Sequence, residues 1–161
     1  MSQTLTAGPL GEVTRAVLGN AAFLFCDEVP AGAAAHTGRL AEASISFDAP
    51  RPGRLTLRVP WAVAVEAAAN LLGAERDDPE VEESALAAVG ELLNMISGSA
   101  LAQWFGAGAR WSLDIPSTRA RDGQLPSPAP EGEVIGFLVD DARIEIEAIA
   151  TEGRDDQGPR R

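Results

Sequence analysis

Residues 88–105, AVGELLNMISGSALAQWF, carry the spacing of a long amphipathic helix, and the reading of the whole chain turns on its two faces. At about 100° per residue, Leu86, Val89, Leu92, Leu93, Ile96 and Ala100 gather on one stripe, which has to be the buried one. Ala87, Glu91, Asn94 and Gly98 gather on the opposite side, with Glu91 and Asn94 one turn apart. A face built only for solvation would carry Lys, Arg, Gln and Glu. This one carries a single carboxylate and a single amide among small residues, although Asn is a poor helix former and a helical glycine such as Gly90 or Gly98 costs about 0.5–1 kcal/mol relative to alanine. Glu followed three residues later by Asn is a common pattern on a solvated helix. The low bulk around the pair is what suggests a surface that another protein approaches closely, with Glu91 and Asn94 as polar contacts and Ala87, Gly90, Met95 and Gly98 beside them.

Outward from this helix, the pattern predicts an order α-β-β-α-α-β-β-β. Pro9 suits a helix's first turn, and Val13, Val17, Ala21 and Leu24 recur at helical spacing, predicting a first helix over 10–28 that ends before Pro30. Residues 41–48 alternate Ala41, Ala43, Ile45, Phe47 against polar neighbours, and 54–59 alternate Leu55, Leu57, Val59 against Arg54, Thr56, Arg58, which predicts a hairpin turned at APRPG. An alanine-rich helix follows from Pro60 to Gly73, and the acidic run ERDDPEVEES leads into the long helix, expected from about Pro79 to Phe105. Three strands close the chain: RWSLDI with Trp111, Leu113 and Ile115 inward; EVIGFLVD, apolar on both faces and therefore central; and ARIEIEAIA with Ile144, Ile146 and Ala148 inward. Asp140 and Asp141 make the turn between the last two, and STRARDGQLPSPAPEG reads as a surface loop. The expected domain spans residues 9–150, with disordered ends at 1–8 and 151–161. The fold class is α+β, an antiparallel or mixed sheet packed against long helices.

Net charge and residue types then exclude several kinds of chemistry. The net charge of −11 and the absence of lysine disfavour a nucleic-acid grip, which needs clustered cations. No signal peptide or stretch of about 18 uninterrupted apolar residues occurs, so the chain is expected to be cytoplasmic and away from the membrane. One cysteine, Cys26, and one histidine, His36, disfavour a zinc site or a Ser-His-Asp triad, and no metal or cofactor is expected. Cys26 reads as a small buried hydrophobe and His36 as a surface residue in a loop. GAGAR at 106–110 runs from helix to strand, the wrong direction for a phosphate loop, and reads as a helix C-cap. Glu145 and Glu147 alternate with apolar residues and read as the solvated face of a strand, and Trp61, Trp104 and Trp111 as core or rim packing.

GELLNMISGSA resembles the signature helix of the CheX/CheC/FliY family of chemotaxis phosphatases, whose motif is Glu-x-x-Asn on a long helix followed by a proline that ends a strand. Glu91 and Asn94 match the first part, SLDIPS with Pro116 resembles the second, and the element order is similar to CheX over residues 10–150. Ala87 stands where the family often shows Asp or Ser, and Pro116 lies about one residue closer to the asparagine than is usual. Two-site members carry a second motif on the first helix; here Val17 stands three residues before Asn20, so one site is expected. The resemblance implies a phosphatase acting on a phosphorylated receiver domain of the CheY type. Glu91 would anchor to the receiver's lysine and Asn94 would orient the attacking water, while the Mg²⁺ would belong to the receiver. A non-catalytic module binding a receiver or flagellar-switch component, and a homo-oligomeric structural domain packed through the bare helix face, remain alternatives; a homodimer formed through a sheet edge is compatible with the phosphatase reading.

Overall fold

The computed structural model describes residues 7–29, 35–106 and 108–151. The tail expected to be disordered lies, apart from Thr151, outside the described residues, as do residues 1–6 of the N-terminal segment. Ala7 and Gly8 already belong to the first helix, α1 (Ala7–Ala22).

This helix ends earlier than its apolar spacing suggests. Phe23 takes a left-handed backbone (φ 54°), the Leu24 amide donates back to Leu18 O, and Cys26–Glu28 form a short strand, β1. Burial from Phe23 to Asp27 alternates exposed and buried, so FLFCD is a strand pattern whose apolar outer residues hid its period. The hairpin is longer than predicted, with β2 at His36–Asp48 and β3 at Gly53–Pro60, in register from Leu40 opposite Pro60 to Phe47 opposite Gly53. Gly53 is required there, because a Cβ would sit 2.6 Å from both Ile149 O and the Phe47 ring. His36 is correspondingly the half-buried first residue of β2 rather than part of an exposed loop.

Next comes α2 (Trp61–Leu72), which stops at Gly73 in the left-handed region, as its sequence predicts. The long helix is two: α3 (Pro79–Glu83), capped by the Asp78 carboxylate accepting from the Glu80 amide, and α4 (Ala85–Phe105), separated at Ser84 (φ −94°, ψ 1°). By length and composition α4 could cross a membrane, but Val89, Leu92, Leu93, Ile96 and Leu101 are buried in the core of this domain. Gly106 caps it with φ 77°.

The closing strands depart most from expectation. Of RWSLDI only Ser112–Leu113 pair, as β4, with the end of β2, and Ile115 is 90% exposed rather than inward. The supposed surface loop contains a nine-residue strand, β5 (Ser117–Leu125), antiparallel to β2 along its full length. It has no apolar alternation because it lies on the sheet's edge, where neither face is fully covered. Then β6 (Glu133–Val139) and β7 (Ala142–Ala150) form a hairpin turned at Asp140–Asp141, as predicted, with Asp140 at φ 52°. β6 is flanked on both sides but lies one short strand from the edge rather than at the centre.

Seven antiparallel strands thus form one sheet in the order β1-β6-β7-β3-β2-β4, with β5 also pairing with β2. Ala43, Ile45, Leu55, Leu57, Ile144 and Ile146 turn one face toward the helices, and their buried side chains join those of α1, α2 and α4 in a single core. Thr14 and Ser97, buried on α1 and α4, each donate a hydroxyl hydrogen bond to the carbonyl four residues back. The α+β class with an antiparallel sheet and long helices stands as expected.

Candidate functional site

On the exposed side of α4, Glu91 is exposed and Asn94 is half-buried. Neither makes a hydrogen bond or ion pair among the described residues. They lie at the rim of a cavity of about 360 Å³ lined by Ala87, Gly90, Glu91 and Asn94 from α4 and by Asp114, Ile115, Pro116 and Thr118 from the chain between β4 and β5. Helical spacing brings the first four together. Sequence similarity pointed to Pro116, whereas Asp114, Ile115 and Thr118 escaped sequence reading because residues 114–118 were read as strand interior and loop.

Gly90 serves this geometry from inside. It is buried, and a Cβ on it would stand 3.0 Å from Thr118 Cγ2 and 3.7 Å from Pro116 Cβ. Its lack of a side chain seats the second wall of the cavity against α4, so the Gly90 expected to meet a partner is covered by the chain itself. Gly98, by contrast, has open space at its Cβ position. Met95 is 38% exposed and faces a neighbouring groove with Ala16, Val17, Asn20, Ala21 and Ser99, between α1 and α4. The residues predicted to bind a partner therefore divide between two adjoining surfaces.

The outer face of the sheet overturns the reading of Glu145 and Glu147 as solvated. Cross-strand register places Arg119, Glu42, Arg58 and Glu145 side by side on β5, β2, β3 and β7. Arg58 donates to Glu42 at 2.8 Å and pairs with Glu147 at 2.8 Å; its Nη1 lies 3.7 Å from Glu145 Oε2, too far for a hydrogen bond. The segment 126–132 lies over them. Backbone amides of Ser127, and of Glu131 and Gly132, donate to Glu145 and Glu147 respectively, and both glutamates are almost fully buried. Burial pushes the Glu145 carboxyl above the ordinary range. Burial acts on Glu147 in the same direction, but hydrogen bonds from Arg58 and the two amides hold it below. This was illegible because the covering segment, PSPAPEG, has no periodic pattern and reaches the glutamates with backbone amides, which no side-chain pattern announces.

Cys26 is buried in β1, and burial pushes its thiol up to about 11. No group of three or more His, Cys, Asp or Glu that could hold a metal occurs among the described residues. Trp61, Trp104 and Trp111 are half-buried against the core, with Phe47 and Trp104 rings 6.4 Å apart and the Arg39 guanidinium 3.7 Å over Trp61.

An antiparallel sheet with helices on one face, the longest of them lined by an open cavity, defines an α+β domain of the CheC/CheX-like fold. Residues 42–135 match the family described as Chemotaxis phosphatase CheX, and the chain belongs to that family. No curated protein sequence matches the chain. A chemotaxis protein CheX from Desulfovibrio desulfuricans is similar in structure, with a TM-score of 0.71 and 21% identity over 90% of this chain and 98% of that one. Chemotaxis protein CheX from Vibrio vulnificus gives 0.69 and 21% over 92% and 99%. The chain matched in a CheX-CheY-BeF3-Mg²⁺ complex from Borrelia burgdorferi gives 0.63 and 16% over 89% and 96%.

Proposed function

We propose that this chain removes the phosphoryl group from a phosphorylated receiver domain of the CheY type. The observation that carries the reading is the placement of Glu91 and Asn94, without partners among the described residues, at the rim of an open cavity on α4 of a CheX family member. That a CheX and a CheY form a complex in Borrelia burgdorferi supports the choice of partner.

Glu91, long and exposed, reaches outward to pair with a lysine of the receiver. Asn94, one turn on and half-buried, enters the receiver's pocket and hydrogen-bonds a water in line with phosphorus. The aspartyl oxygen leaves as the water oxygen bonds to phosphorus, returning a free carboxylate and inorganic phosphate. An amide suits this task, because it donates and accepts at once and does not titrate. Catalysis is then positioning and the exclusion of disordered solvent, which supplies much of the barrier reduction in phosphoryl transfer. The Mg²⁺ and the phosphoryl group belong to the receiver, and no cofactor is required on this chain. The same proposal places the protein with its receiver in the cytoplasm, and a homodimer formed away from α4 is compatible with it.

The test is the decay of phosphate from candidate receivers with wild type, Glu91→Ala and Asn94→Ala. Faster decay with wild type, lost by at least 100-fold in Asn94→Ala with the fold retained, is expected for a removed catalytic orienting group, which contributes about 2.7–4 kcal/mol. Unchanged activity in Asn94→Ala would sink its role. Ala87, exposed on the cavity wall where the family often has Asp or Ser, favours a second reading in which the face binds a receiver without hydrolysis. Binding with unchanged decay would select it.

A further inference from the structure

A cavity of about 550 Å³ lies on the outer face of the sheet, between β5 and the segment 126–132. Its volume is that of a small-molecule site. Hydroxyls of Ser44, Thr56 and Ser117 are among the groups that line it, with Ser44 and Thr56 hydrogen-bonded at 2.9 Å. Arg54 lies on one side and Arg119 and Arg121 on the other.

Arg58 is bonded by both Glu147 and Glu42. Glu42 also accepts from Arg119 Nε at 2.7 Å and from Arg121 Nε and Nη2 at 3.2 and 3.0 Å, so one carboxylate serves three guanidiniums. Arg58 has Glu147 and, at 3.7 Å, Glu145 beside it as well, whereas Arg119 and Arg121 meet only Glu42 among these carboxylates. Arg119 makes no other hydrogen bond among the described residues, which leaves both its terminal nitrogens as donors, and its side chain is 68% exposed. Arg54 meets Glu131 only at 3.4 Å, between groups that are both largely exposed. The β5 edge of the recess thus presents exposed guanidinium donors in a chain of net charge −11, with Glu131 and Glu147 lining the opposite side.

We propose that this cavity binds a phosphoryl oxyanion, either free or carried by a small phosphomonoester. The tetrahedral group sits against the free edge of Arg119 with Arg121 beside it, since a guanidinium fork matches phosphate oxygens with paired N–H donors. The floor hydroxyls take the remaining oxygens or the hydroxyls of the ester's body. Glu42 keeps the two guanidiniums aligned, and no aromatic ring lines the cavity to stack a base, so the ester's body is an aliphatic, hydroxylated one.

The test is titration calorimetry of the full chain with inorganic phosphate, ribose 5-phosphate and ribose, for wild type, Arg119→Gln, Arg119→Lys and Arg76→Gln. Arg76 is exposed and outside the cavity, so its variant controls for loss of charge. Saturable binding of at least one phosphate probe with a Kd below about 1 mM is expected. It weakens at least tenfold in Arg119→Gln, weakens less in Arg119→Lys, and is unchanged in Arg76→Gln. Equal affinity for the two phosphate probes identifies the free ion as the ligand; tighter binding of ribose 5-phosphate identifies the ester. Absence of saturable binding by both probes, binding of ribose alone, or equal weakening in Arg119→Gln and Arg76→Gln overturns the proposal.

Discussion

At Glu42, burial alone would raise the carboxyl pKa, yet hydrogen bonds from Arg58, Arg119 and Arg121 bring it down to about 2 from 4.5. A depressed folded-state value means that the stabilisation is complete above about pH 4.5 and is lost as pH falls toward 2. The amount is on the order of 3 kcal/mol. Glu147 shifts in the same direction and shares this acid limb, whereas Glu145, raised by burial, contributes with the opposite sign as pH rises. Urea unfolding across pH 2–7 is expected to show the acid loss in wild type and a shallower one in Glu42→Gln. At pH 7 the variant is expected to lose on the order of 3 kcal/mol, because it removes the charge-assisted hydrogen bonds from Arg58, Arg119 and Arg121. On α4, Gly98 has nothing within 4 Å of its Cβ position. Gly98→Ala should therefore gain about 0.5–1 kcal/mol in the same assay, the entropy cost that glycine carries in a helix. A loss there would show that the open face is already occupied.

Among the elements, the segment 126–132 is held over the sheet by three backbone amides that donate to two buried glutamates. Hydrogen bonds to a charged acceptor contribute about 1.5–3 kcal/mol each. In Glu147→Ala, amide hydrogen exchange at Glu131 and Gly132 is expected to accelerate at least tenfold while Ser127, held by Glu145, stays slow; unchanged exchange would mean that other contacts hold the segment. The strand before it, β5, serves both sides of the sheet. Thr118, with Pro116 just ahead of the strand, walls the Glu91 and Asn94 cavity, while Ser117 and Arg119 line the outer one. Period-two alternation places them so, but with polar residues on both faces it left no apolar pattern in the sequence. Just before β1 the failure was the reverse, because Phe23 and Phe25 remain 63% and 76% exposed and made the approach to a strand look like the end of a helix.

For the molecule as a whole, α4 is the element on which the domain assembles, since it packs against α1, α2 and β2 together. Leu93, fully buried on it, is a test of that unity: Leu93→Ala is expected to cost about 2–5 kcal/mol and to lower one cooperative transition rather than loosen a part. Separate transitions would mean that the helices and the sheet do not share one core. The sequence by itself determined the elements whose local pattern is legible: the β2–β3 hairpin, α2 with its glycine stop, the stripe of α4 and the turn at Asp140–Asp141. It also placed Glu91 and Asn94 on one exposed side of α4, because both consequences follow from local periodicity. Only the tertiary structure decided what Gly90 touches, that Ile115 points outward, that β5 is a strand, and that Glu145 and Glu147 are buried with Arg58. Those facts depend on which remote segment covers a given face, and a polar residue's pattern is the same whether its partner is water or a guanidinium from another strand.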